Sequence, residues 1–199
     1  MLAFATPPQT GALTPPFFPR MRALADYAVA QVAGTHWTTS DAVAGRDGRD
    51  TLVEVERRAT AKALGEREDD FMRLKVEGLL EAGEVIVVAL ADGREKHVFG
   101  RRTLPEMDLA SVACAIQNMW LAARAEGIGL GWVSIFDPAE LATLLGMPVG
   151  ARPVAILCIG HVEAFYPRPM LEIHQWAERM PLETVVFENG WRDETPAKG

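Results

Sequence analysis

One hydroxyl set among glycines and apolar side chains marks the stretch of this chain best suited to chemistry. Residues 128–138 read Ile-Gly-Leu-Gly-Trp-Val-Ser-Ile-Phe-Asp-Pro. Gly129 and Gly131 carry no Cβ, so a backbone can come close there to something flat or bulky. Trp132, Val133 and Ile135 read as a short buried strand, with Ser134 as its one polar side chain. Asp137-Pro138 then stops the strand and opens a helix, with Asp as N-cap and Pro at the first helical position. Glycines, an apolar strand and a lone hydroxyl suit a planar cofactor lying against backbone amides. The same residues would also make an ordinary buried strand followed by a capped helix, and spacing alone does not separate the two.

Other chemistries find little support. No Gly-x-Gly-x-x-Gly stands between a strand and a helix, and no Walker lysine loop occurs. Ser134 lacks a Gly-x-Ser-x-Gly elbow, which argues against a hydrolase nucleophile. His36, His97, His161 and His174 are not spaced as metal ligands, and His161 reads as a structural or surface residue. Cys114 and Cys158 sit in apolar runs, as buried thiols of a reducing compartment do. A formal net charge of -7 argues against a nucleic-acid surface. No apolar run reaches membrane-spanning length, and the N-terminus lacks a signal-peptide pattern, so a cytoplasmic protein is expected.

The elements that must position Ser134 follow from patterning. With 199 residues, 49% hydrophobic and 24% charged, the chain is expected to be one soluble domain. Five prolines fall in residues 1–20, which read as extended or disordered; residues 21–33 suit a helix, and 34–50 read as a loop. From Val53 to Leu80 the chain is charged and helix-favouring, with a break near Gly65; it reads as a solvated helical stretch or as a lid over a cleft. Glu84–Leu90 is a β-branched run and reads as a central strand before the Asp92-Gly93 turn. Thr103 can cap a helix running from Pro105 to Gly127. That helix is apolar on nearly every side, so it should be buried all round, centrally or in a subunit interface, with Gln117 and Asn118 as satisfied core amides. A short helix over Pro138–Leu145 ends at Gly146, and Pro153–Ile159 is another strand. Beyond Tyr166 an extended tail carries Trp176, Leu182, Val186, Phe187 and Trp191, which suggests an arm packed on a partner subunit. Strands alternating with helices make this an α/β or α+β chain.

Three segments together resemble one family. They are Gly100-Arg101-Arg102-Thr103-Leu104-Pro105-Glu106-Met107, Gln117 to Gly127, and Gly129-Leu130-Gly131-Trp132-Val133-Ser134-Ile135. The chain resembles the 5,6-dimethylbenzimidazole synthases, a branch of the nitroreductase-like flavoproteins, from about Thr51 to Trp191. The resemblance implies an α+β, nitroreductase-like fold: a central mixed sheet flanked by helices, with an extended C-terminal arm exchanged in a homodimer. It implies FMN at the dimer interface, used as a substrate: reduced FMN reacts with O2 and is broken down to 5,6-dimethylbenzimidazole, the lower ligand of vitamin B12. A separate flavin reductase would supply the reduced FMN. Ser134 matches the functional serine near the flavin edge, and Gly131 and Trp132 match the strand backing the ring. Arg179 falls where related flavoproteins carry a basic residue for the FMN phosphate. The region Glu54–Lys75 matches a lid that shields the flavin.

Residues 1–50 depart from this pattern. The family opens with Arg-Arg-Asp-Val-Arg, whose arginines grip the FMN phosphate and whose aspartate takes part in flavin breakdown; Arg20 and Arg22 flank Met21 without reproducing it. Losing two or three charge-assisted phosphate contacts would cost about 1.5–3 kcal/mol each. The expected organisation is a divergent, partly disordered segment over 1–50 and a flavin domain over 51–199 that is incomplete at its N-terminal side. Two alternatives stand beside the synthase reading: an NAD(P)H-dependent flavin or nitro reductase, and an impaired family member that dimerises without processing flavin.

Overall fold

The computed structural model describes residues 35–38, 46–64, 78–91, 103–173, 175 and 177–191. The expected helix over 21–33 and most of the stretch after Gly65 lie outside these residues. The chain divides into two compact units, Met1–Phe165 and Tyr166–Gly199.

Among the described residues the first unit holds four strands: β1 (Thr35–Thr38), β2 (Glu84–Leu90), β3 (Ile128–Val133) and β4 (Arg152–His161). Their order is β1-β2-β4-β3. Among the described residues every neighbouring pair runs antiparallel, where a mixed sheet was expected. The reason lies in the connections. β2 and β3 point the same way, but β4 inserts between them and meets both antiparallel. A bulge sits where Val88 pairs with Ala155 and Ala89 with Pro153. Pro153 lies beyond the stretch of β4 that pairs with β3.

Helices cover both faces. On one side α3 (Met107–Ala125) lays Val112, Ile116, Met119 and Ala123 on Ile86, Val88, Leu130, Leu157 and Ile159. On the other, α1 (Arg46–Leu64), the single turn α2 (Gly78–Glu81) and α4 (Pro138–Leu144) bury Leu52, Val53, Leu79 and Leu141 against Val85, Val87, Val133 and Ile156. The loop expected over 34–50 is therefore wrong at two places: it contains β1 and the first turn of α1. Four residues of Thr-His-Trp-Thr carry too little pattern to announce a strand; the backbone ladder to β2 makes it one. Leu52, Val53, Val55 and Glu56 are buried, so this part of the expected lid is a wall of the core.

Within one chain α3 is not buried all round, so of the two expected settings, central or in a subunit interface, the central one does not hold. In the single chain its outer side is open to solvent: Leu109 is 46% exposed, Leu121 is 59% exposed, and Cys114, Gln117 and Asn118 are exposed too. Within one chain the two amides lie outside the core, because they fall on the side of the helix turned away from the sheet. The helix also starts later than expected, at Met107 after Glu106, which makes no side-chain cap hydrogen bond.

The second unit holds the turn α5 (Met170–Ile173) and a 3-10 turn at Leu182–Thr184, joined by irregular chain. Phe187 and Trp191 pack with ring centroids 5.0 Å apart and planes tilted by 45°. Met180, Leu182, Val186 and Trp191 are exposed.

Candidate functional site

Ser134 follows the last residue of β3 and is exposed. Local chemistry sets this position. Asp137 Oδ1 accepts hydrogen bonds from the N–H groups of Ala139 (2.9 Å) and Glu140 (3.2 Å), and Pro138 opens α4. At the other end Gly146, at φ 59, lets Met147 donate to Ala142 O at 2.9 Å and Gly146 to Thr143 O at 3.1 Å, a closing pair that a side chain with Cβ would strain. The chain from Val133 to Pro138 is held at both ends, by the β3–β4 ladder and by this capped helix. Asp137→Ala is expected to lower stability by about 1 kcal/mol, or Tm by about 2–4 °C, in thermal and denaturant melts.

β3 is an edge strand among the described residues, so one line of its backbone groups is left without a strand partner. Along it, side chains alternate between the two faces. Ile128 and Leu130 face α3, and Trp132 packs on that same cluster. Gly129, Gly131 and Val133 therefore face the α1 side, where Gly129 pairs with Gly160 and Gly131 with Cys158. The pleat separates Gly131 from Trp132: they cannot both present side-chain surface to one face of a ring. Their shared contribution is the strand's backbone. Trp132 adds one more feature, since its Nε1 is buried and has no hydrogen-bond partner. Arg179 lies in the second unit, paired through Nε with Glu172 Oε1 at 3.5 Å. Gly131, Trp132 and Ser134 thus form one continuous stretch, whereas Arg179 stands on a separate unit.

Behind Gly131 lies a polar group that sequence reasoning missed. Glu56 of α1 is only 2% exposed. One face of the same helix brings Arg49, whose Nη1 donates to Ala82 O and whose Nη2 donates to Gly83 O at 3.1 Å. Burial pushes the Cys158 thiol up to about 12, the Glu56 charge pushes the same way, and the Arg49 charge opposes both. The thiol stays protonated and inert. The signal was present in spacing: Arg49 and Glu56 occupy the stripe set by Leu52 and Val53, at positions three and four residues apart.

The raised thiol has a consequence with a definite sign. Between an ordinary 9.0 and about 12, the unfolded chain releases the Cys158 proton while the folded chain keeps it. Folding is therefore weakened as pH rises through that window, by about 1.4 kcal/mol per pH unit, and is unaffected below it. Denaturant titrations at stepped alkaline pH should show this extra slope in the native chain and not in Cys158→Ala.

An antiparallel sheet between helices, with a glycine-rich edge strand ending in an exposed serine, matches the fold of the nitroreductase-family oxidoreductases. The Nitroreductase family pattern matches residues 23–161, and the chain belongs to that family. The match begins ahead of Thr51 and takes in β1. The chain is 43% identical over 130 residues to a 5,6-dimethylbenzimidazole synthase of Rhodospirillum rubrum, covering 64% of this chain and 62% of that protein. It is 38% identical over 120 residues to a protein of the same name from Rhodobacter capsulatus, covering 60% of this chain and 58% of the relative. The match thus spans about three fifths of the length of these relatives. Among solved structures it is similar to nitroreductase A of Vibrio parahaemolyticus (TM-score 0.69, 15% identity, 96% of this chain and 73% of that one). It is also similar to the NADPH:FMN oxidoreductase of Vibrio harveyi (TM-score 0.60, 17% identity, 96% and 75%). Among the described residues no helix is long and apolar enough to cross a membrane, and no group of side chains is placed to hold a metal ion.

Proposed function

We propose that this chain is a 5,6-dimethylbenzimidazole synthase that takes reduced FMN and O2 as substrates and releases the benzimidazole used as the lower ligand of vitamin B12. The observation that carries this reading is the 43% identity, over 130 residues, to a relative of that name. The residues present suit a flavin. β3 offers unpaired backbone along its edge, Trp132 Nε1 is a buried donor in want of an acceptor, and Ser134 ends the strand with an exposed hydroxyl. The flavin supplies the oxygen-reactive ring. Gly131 and Trp132 would orient that ring, Ser134 would hold or pass a proton at its Oγ, and Arg179 would meet the phosphate. A charge-assisted bond from guanidinium to phosphate is among the stronger polar contacts available to a protein.

The flavin domain is assigned to residues 51–199, with β1 and the first turn of α1 added from the segment before it. The open side of α3 is best covered by a second copy of the chain, with the C-terminal arm exchanged between copies. Apolar side chains such as Leu109 and Leu121 are otherwise left in water. A separate reductase would deliver reduced FMN. The free thiols Cys114 and Cys158 suit the reducing cytoplasm, and the net charge of -7 does not suit nucleic acid.

The deciding experiment loads the protein with reduced FMN without air, then admits air and separates the products. A benzimidazole peak that grows as flavin absorbance is lost is the expected result. Steady turnover of a nitroaromatic with NAD(P)H and no loss of flavin would replace this reading by a reductase. Absence of any flavin binding would point to an impaired family member.

A further inference from the structure

The chain holds two asparagines, Asn118 and Asn189, and they stand in opposite settings. Asn118 lies inside α3, and the N–H of Met119 after it falls in the middle of the helical ladder. Asn189 is exposed and is followed by Gly190. Among the described residues none of 187–191 takes part in a backbone–backbone hydrogen bond; the last one before them runs from Val186 N–H to Leu182 O at 3.0 Å.

Both residues at this bend are left-handed, Asn189 at φ 61 and Gly190 at φ 149. Asparagine tolerates such a backbone because its short amide bonds locally, and glycine because it has no Cβ. The bend brings Phe187 against Trp191, with ring centroids 5.0 Å apart.

The same features make Asn189 labile. Asparagine is a heat-sensitive side chain. Its loss starts when the backbone nitrogen of the next residue attacks the side-chain amide carbon. A side chain on that next residue would crowd the approach, and Gly190 has none. A nitrogen inside a helical ladder must first be released, whereas an exposed bend without backbone bonds opens at little cost. Asn189 meets each of these conditions and Asn118 meets none.

We propose that Asn189 is a site of self-modification. Gly190 N bonds to Asn189 Cγ, the Cγ–Nδ2 bond breaks, and the amide leaves as ammonia, taking up the proton that Gly190 N gives up. The product is a five-membered succinimide. Water then adds to one of its two carbonyl carbons and breaks that carbon's bond to the ring nitrogen. Opening at Cγ leaves an aspartate; opening at the backbone carbon leaves an isoaspartate, whose main chain runs through the side chain and is one atom longer. No electrons are exchanged. The longer main chain cannot keep the left-handed bend that seats Trp191 on Phe187, so formation of isoaspartate opens the aromatic pair. Either product adds a negative charge next to Glu188.

The test ages the full chain for days at mildly alkaline pH. Mass spectrometry follows the peptides holding the two asparagines, and labelling by an isoaspartyl methyltransferase identifies isoaspartate. Asn189 should be lost at least about tenfold faster than Asn118. Asn189→Gln should remove the fast mass gain. Near-ultraviolet circular dichroism should weaken as isoaspartate forms. Ageing should leave that signal steady in Trp191→Leu, and fresh Asn189→Asp should match the fresh native chain, since it adds the charge without the extra atom. Equal loss of the two asparagines, or a fast mass gain that persists in Asn189→Gln, would overturn the site. Isoaspartate formed with no change in the aromatic signal would overturn its effect on the Phe187–Trp191 pair.

Discussion

Replacing Ser134 by alanine is expected to leave FMN affinity within about twofold and to lower benzimidazole formation about a hundredfold or more, the scale on which a positioned proton-transfer group acts. The separation of these two effects follows from where the residue sits. Ser134 is exposed and lies outside the β3–β4 ladder, so losing its Oγ opens no cavity and breaks no strand pairing. Exposed substitutions of this kind usually change stability by less than about 0.5 kcal/mol. A loss of product at unchanged flavin binding is then chemical. Flavin titration and chromatography of the aerobic products measure the two quantities on one preparation. Product yield equal to that of the native chain would take Ser134 out of the reaction.

The second large effect concerns assembly. If the proposed dimer forms through α3, Leu121→Arg should shift its equilibrium toward monomer by at least about a hundredfold. In the single chain Leu121 is 59% exposed on the outer side of α3, where arginine is a good helix former and meets water. The variant should therefore fold, with an unchanged far-ultraviolet circular dichroism spectrum. A two-fold interface on this side would instead bring a cation from each copy into apolar surroundings, and an unpaired buried charge is strongly unfavourable. Sedimentation equilibrium reads the difference. A native chain that sediments as a monomer, or a Leu121→Arg dimer as tight as the native one, would remove α3 from the interface. Loss of flavin binding in the monomeric variant would further show that the second copy completes the site.

Much of the fold was legible where a few adjacent residues settle the outcome. Glu84–Leu90 was expected and is found with the same ends, because a β-branched run of this length after Gly83 has little other use. Asp137 caps α4 as its type and the following proline require. Gly127, at φ 75, ends the long helix, and Gly146 ends the short one. The strand expected over Trp132 to Ile135 is instead found over Ile128–Val133, because the ladder to β4 pairs the glycines and stops at Val133, leaving Ser134 and Ile135 beyond its end.

What the chain alone determined, then, is the set of local elements, their caps and the motif at the end of β3, since each depends on side chains reaching their own neighbours in sequence. The tertiary structure decided the rest. It put β1 into the sheet through a ladder to residues some fifty positions away. It slid β4 between β2 and β3, so that two parallel strands never touch. It turned Gly131 and Trp132 to opposite faces, left one side of α3 in water and drew Glu56 and Arg49 up to Cys158. These are contacts between distant segments. Their energy depends on which surfaces the whole fold brings together, and a local pattern carries no record of that.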